Sequence, residues 1–219
     1  MGEGTEDEAG TGATPRGAAA PPIQQRRGSH RERLFDAGMA VFVRDGYAVA
    51  SAEAIAKEAG MSKKTFYEHF SSKDELLFEL FDKAAWTFIR EITSAWTAGP
   101  PADTYEQHTS ARIAALLNTL DEHPELAQIA FLEVQAAGEE GRERRDELIA
   151  NFASASYYDN HEMAAKFGAP VYRERDDALV AIYAAIEMAL RQIRLGQPET
   201  MDELVPLLTR LMFGALSTT

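Results

Sequence analysis

The chain has 219 residues, 45% of them apolar, no cysteine and a formal net charge of -13. That length supports a sizeable core, as one large domain or two small ones, and the absence of thiols excludes disulfides and thiolate metal sites. No run of 18 apolar residues occurs and the first 25 residues lack an apolar h-region, so neither a membrane span nor a secretory signal is expected and the predicted location is cytoplasmic.

The charge is unevenly spread. Residues 1–25 hold four acids against Arg16, residues 26–80 hold nine acids and nine bases, and residues 81–219 hold twenty-two acids against twelve bases. The middle segment, the least acidic, opens with Arg26, Arg27, Arg31 and Arg33. Binding nucleic acid requires local rather than global positive charge. Residues 1–22 are rich in Gly, Ala, Thr, Pro and acid, a composition that cannot offset its ordering entropy. A disordered acidic tail is therefore expected over residues 1–25, ending in an arginine cluster suited to touching DNA phosphates.

From Gly28 to Asp45 the residues Leu34, Phe35, Gly38, Val41 and Phe42 recur at helical steps, and Gly46 supplies the stop. Ser51 caps a second helix whose buried face is Ala52, Ile55, Ala56 and Ala59. Gly60 is then a tight turn, Met61 points back to the core, and Ser62 caps a third helix anchored by Phe66 and Phe70. This leaves Lys63, Lys64, Thr65 and Tyr67 on its outward, N-terminal side. Two short helices meeting at a glycine turn form the layout of a helix-turn-helix DNA reader.

A long helix begins near Lys73 and runs through Leu76, Leu77, Leu80, Phe81, Ala84, Phe88, Ile89 and Trp96 to Gly99-Pro100-Pro101. Helices are predicted over Tyr105 to Leu120, Pro124 to Ala137, Glu139 to Phe167 and Asp176 to Leu195. Thr200 with Glu203 makes a capping-box pattern for the last one, in which Pro206 forces a bend or a later start. The fold class is all-α: an N-terminal three-helix helix-turn-helix domain over 26–72 and a larger helical ligand-binding and dimerisation domain over 73–219.

Residues 46–81, GYAVASAEAIAKEAGMSKKTFYEHFSSKDELLFELF, resemble the N-terminal domain of the tetracycline-repressor (TetR) family. The supporting positions are Gly46-Tyr47, Ser51, Ile55-Ala56, Ala59-Gly60, Ser62-Lys63, Thr65, Tyr67, His69-Phe70, and Ser72-Lys73 with Glu75-Leu76-Leu77. Residues 123–138 are similar to a common C-terminal type of that family. The resemblance implies a homodimer with an internal ligand pocket, acting as a repressor. Ala50 departs from the usual Thr or Ser, and Lys64 from a small residue, often Gly.

On this basis Lys64 and Thr65 are expected to read bases, and Lys63, Tyr67, His69 and Lys73 to hold phosphates, beside the capping residues Ser51 and Ser62. Trp86, Ile89, Trp96, Phe131, Glu133, Tyr157, His161, Tyr183 and Glu187 are the candidates for an effector pocket, aromatic walls with a few polar groups. His108 is a further polar residue on an apolar helix. The apolar surface of the last two helices, 176–195 and 201–216, suits pairing with a second copy. The expected partners are double-stranded operator DNA, a small-molecule effector and a second copy of the chain. No Gly-rich phosphate loop or nucleophile elbow occurs, and the histidines show no metal-ligand spacing, so no enzymatic activity, cofactor or metal is expected. An activator or an α-helical small-molecule carrier is the alternative reading.

Overall fold

The structure, a computed structural model, describes residues 23–99 and 101–215, with side chains over 30–99 and 101–213. Of the tail expected over 1–25, residues 1–22 lie outside the described residues, as do Pro100, Leu216 and the side chains of Arg26 and Arg27, while residues 23–25 open the first helix instead. The helices are α1 (Ile23–Asp45), α2 (Ala52–Glu58), α3 (Lys63–Tyr67), α4 (Lys73–Ala98), α5 (Tyr105–Glu122), α6 (Pro124–Phe131), α7 (Glu139–Phe167), α8 (Arg175–Leu195) and α9 (Leu204–Ala215). None of them is long and apolar enough to cross a membrane.

The first three helices close around Leu34, Val41, Phe42, Ile55, Phe66 and Phe70, and the start of α4 completes that core with Leu76, Leu77 and Leu80. From Phe81 onward the same helix enters the larger core, through Ala84, Phe88 and Ile92. One helix of 26 residues, about 39 Å long at 1.5 Å per residue, thus belongs to both cores. Its first turn is fixed by Ser72, whose hydroxyl accepts from the Glu75 N–H at 3.1 Å.

The structure departs from the periodicity in three places. Helix α1 begins at Ile23, one turn ahead of Gly28. The single helix expected over 124–137 breaks at Leu132 (φ -116°, ψ -62°), and Glu133–Ala137 continue as a 3₁₀ turn. Thr200 and Glu203 form the expected capping box around a 3₁₀ turn, Met201–Glu203, and α9 then starts at Leu204. Pro206 therefore falls in the first turn, where its missing N–H has no intrahelical acceptor to lose.

The break at Leu132 matters because the following turn packs against the start of α7. A Cβ built on Gly141 would lie 1.9 Å from the Val134 carbonyl oxygen, a backbone atom that cannot swing aside. Gly141→Ala is expected to lower stability by about 1–3 kcal/mol, the usual range for overpacking. Urea denaturation of the variant beside the parent checks this, and an unchanged midpoint would contradict it.

Candidate functional site

Helix α3 is short, so its orientation comes from its ends and its buried side. The Ser62 hydroxyl accepts from the Thr65 N–H at 3.1 Å and lies 3.0 Å from the Thr65 hydroxyl. Gly60 makes the preceding turn at φ +67°, a value an L side chain rarely adopts. Phe66 and Phe70 are fully buried with ring centroids 5.7 Å apart. The opposite side is left to water: Lys63 and Lys64 are exposed, and Tyr67 is 52% exposed, standing edge-on to Phe66. The Lys64 side chain is 87% exposed, with Glu68 4.0 Å from its ammonium. Ser51 caps α2 through the Ala54 N–H at 3.1 Å, and its residue is exposed on the same part of the domain. His69 is half-buried and meets His30 edge-on at 6.2 Å. Lysines beside the free N–H groups of a helix start form a surface suited to phosphate and base edges.

Lys73 is placed differently from the expectation. Its ammonium donates to the carbonyls of Tyr47 (2.8 Å) and Ala50 (3.0 Å) and sits 4.1 Å over the Tyr47 ring. It holds the loop ahead of α2 instead of facing outward. Two members of the arginine cluster are also engaged: Arg31 pairs with Glu79 and covers the Phe70 ring, and Arg33 donates to the Ala59 carbonyl.

Tyr47 joins this domain to the rest. Its N–H donates to Glu133 Oε2 at 2.7 Å, and its phenol donates to Asp74. Burial, then the Asp74 carboxylate, hold the phenol far above its ordinary pKa. Beside it the Gln128 side chain donates to the Val43 carbonyl at 3.0 Å. Glu133, expected in an effector pocket, is thus a strut between the domains.

In the larger domain a partly enclosed cavity lies among α4, α5, α7, α8 and α9. Ile92, Ile113, Leu116, Phe152, Ile182 and Met212 make its apolar wall, and Trp96, Tyr105, Thr109, Arg112, Ser156, Asp159 and Tyr172 its polar part. Arg112 stacks 4.6 Å over the Trp96 ring and donates to Asp159 at 3.0 Å, and Asp159 also meets His108 at 2.7 Å. Among the described residues, Trp96 Nε1 and Thr109 Oγ1 are buried side-chain polar atoms without a hydrogen-bond partner.

Of the residues expected around an effector, the cavity brings in Trp96. Trp86 and Ile89 lie on the outer face of α4, 60% and 47% exposed, because 84, 88 and 92 turn inward. Phe131 is fully buried and stacked on Phe88, and Tyr183 donates to Asp146 at 3.0 Å. Glu187 pairs with Arg145 at 2.7 Å, and His161 packs on Tyr157 with its Nδ1 3.0 Å from that residue's carbonyl. Thr109, Arg112 and Asp159 were missed. The available signal was on α5, where Thr109 and Arg112 share the stripe of Tyr105, Ile113 and Leu116. Elsewhere Glu91, Glu122 and His123 bring donor atoms within 4.8 Å of one another, a sequence-remote grouping in which His123 bonds Glu91 at 2.7 Å.

Residues 34–80 match the family model of bacterial regulatory proteins, tetR family. A fatty acid metabolism regulator protein of Bacillus subtilis is 25% identical over 135 residues, covering 59% of this chain and 65% of that protein. The transcriptional activator FasR of Mycolicibacterium smegmatis is 39% identical over 89 residues, covering 38% and 41% respectively. The match thus spans less than two thirds of either relative. The transcriptional regulator FadR of Bacillus subtilis, solved in complex with stearoyl-CoA, superposes with a TM-score of 0.68 at 19% identity, covering 85% of this chain and 99% of that one. The helix-turn-helix segment 34–80 thus matches the tetR family of bacterial regulatory proteins, and the fold of the chain as a whole is that of such a solved regulator.

Proposed function

We propose that the chain is a ligand-responsive transcription regulator that binds operator DNA as a homodimer and releases it when an effector fills the cavity of the larger domain. The observation that carries this reading is α4, whose first turns belong to the reader's core and whose later turns wall the cavity. Ser51, Ser62, Lys63, Lys64, Thr65, Tyr67 and His69 face the DNA in this reading, and Lys73 supports them from behind. Val180 and Leu195 on α8 and Leu207 and Leu211 on α9 are between 41% and 66% exposed, which suits burial against a second copy. Two copies related by a two-fold axis would present two α3 helices to successive major grooves, about 34 Å apart. An effector shifts the balance only if it fits one spacing better than the other. The apolar wall suits an effector with an extended apolar body, in keeping with the stearoyl-CoA bound by the Bacillus subtilis neighbour.

Since FasR is named an activator, activation at the same operator is the second reading. A reporter driven by the chain's own upstream DNA decides between them: loss of the protein raises output for a repressor and lowers it for an activator. The DNA-binding core of the proposal is checked by gel shift on that DNA, and absence of a salt-sensitive, sequence-specific shift would overturn it.

Lys64→Ala is expected to weaken the best operator by about 1–3 kcal/mol and to relax preference at one base position. Equal loss on every sequence would make Lys64 a phosphate contact. Leu207→Glu with Leu211→Glu should yield a monomer by light scattering and abolish tight operator binding, whereas an intact dimer would place the interface elsewhere. Glu133→Ala removes the acceptor of the Tyr47 N–H. It is expected to cost about 1 kcal/mol in stability and to reduce the effector's influence on DNA affinity, read by fluorescence anisotropy with and without effector.

A further inference from the structure

We infer that the chain binds a divalent transition-metal ion, zinc or one of like chemistry, at Glu91, Glu122 and His123, where the ion fastens α4 to the corner between α5 and α6. None of the three residues lines the cavity or belongs to α3. The site therefore stands whether or not the chain binds an operator. Glu91 is on α4, Glu122 ends α5, and His123 precedes Pro124 at the start of α6. Their donor atoms all lie within 4.8 Å of one another. Two carboxylates this close repel each other, and a cation between them removes that repulsion. Glu122 is exposed and has no hydrogen bond or ion pair among the described residues. The His123 side chain makes no cap bond to α6 and turns to α4 instead, its Nε2 2.7 Å from Glu91 Oε2. Arg90 donates to the other oxygen, Glu91 Oε1, at 2.8 Å. A donor on the outer oxygen orients a ligating carboxylate and leaves its inner oxygen to the metal.

The donor set selects the class of ion. One imidazole nitrogen with two carboxylate oxygens is a mixed set. Imidazole suits zinc, copper, iron and nickel, whereas magnesium and calcium take oxygen donors. Three protein donors leave a further position to water. Two donors on one tetrahedral ion lie about 3.4 Å apart, given bonds of about 2.1 Å. His123 and Glu91, which meet at 2.7 Å, need to part by less than that bond length to admit it. The consequence is mechanical. Helix α6 sends Gln128 to the Val43 carbonyl and Ile129 into the core of the helix-turn-helix domain. Glu91 adjoins Ile92, which lines the cavity. The ion thus braces α4, at the height of the cavity, against the helix that touches the reader.

Calorimetric titration of the untagged full chain, first stripped with a chelator, tests this with zinc chloride and magnesium chloride. Zinc should fill one site per chain and bind at least about a hundredfold more tightly than magnesium, as the nitrogen donor favours it. Glu122→Gln, at an exposed position without a partner, and His123→Ala should each weaken zinc by at least about tenfold. Zinc should raise the melting temperature of the parent, because an ion that joins separate elements binds only the folded chain. The same zinc concentration should leave Glu122→Gln almost unmoved. Cobalt(II) in place of zinc should show visible d–d bands that His123→Ala removes. Parent-like zinc affinity in both variants would put the ion elsewhere and overturn the assignment. So would magnesium binding as tight as zinc, or no zinc binding by the parent.

Discussion

Beside the shared helix α4, the two halves of the molecule are tied together most closely at Tyr47. Its N–H is held by Glu133 of the larger domain, its carbonyl by Lys73, and its phenol by Asp74, while its ring lies beneath the Lys73 ammonium and against Phe42. Backbone and side chain of one residue therefore tie the loop before the helix-turn-helix to the first turn of α4 and to the 3₁₀ turn after α6. These bonds reinforce α4, the Gln128–Val43 bond and the packing of Ile129 into the reader's core. With them the reader has a further strut, and the angle at which α3 meets DNA becomes a property of the larger domain.

This constraint explains the distribution of basic groups. A reader that must keep one orientation uses some of its cations inside: Lys73 on two carbonyls, Arg33 on a third, Arg31 on Glu79. The outward positive charge of α3 is then concentrated in Lys63 and Lys64. A chain of net charge -13 can still bind a polyanion through such a patch, because at physiological salt charges act over roughly 8–10 Å. The surrounding acidity weakens non-specific attraction, so contact geometry at the base edges matters more.

The sequence made the fold legible wherever local signals agreed. The caps at Ser51 and Ser62, the turn at Gly60 and the helical stripes predict the helices and their order, because each is a short-range effect. The exposure of Lys63, Lys64 and Tyr67 was legible for the same reason: a helix of five residues with Phe66 buried in it and Phe70 buried just beyond it has only one free side. Lys73 was not, since nothing near it in sequence reveals that two carbonyls over twenty residues earlier need a donor. The cavity was legible least. Its wall is assembled from α4, α5, α7, α8 and α9, and aromatic content is a poor guide to which faces converge. Trp86 and Trp96 lie on the same helix, yet 60% of the first is in water while the second lines the cavity. Ten residues turn an α-helix through nearly three full turns, and the remaining angle separates them.

The rigidity of α4 decides how a ligand could be felt at the DNA. Residues 73–98 contain neither glycine nor proline, and sharp bends in helices arise mostly at such residues or at inserted side chains. A displacement imposed at Ile92 or Trp96 is therefore not absorbed along the way. It reaches Leu76 and Leu77, about 24 Å distant at 1.5 Å per residue, as a tilt of the whole rod. There the buried contacts with α1 and the Tyr47 network resist it, and close-packed interfaces respond by shifting between discrete arrangements more readily than by deforming smoothly. Linkage then requires reciprocity: if ligand weakens DNA binding by some factor, bound DNA weakens the ligand by the same factor.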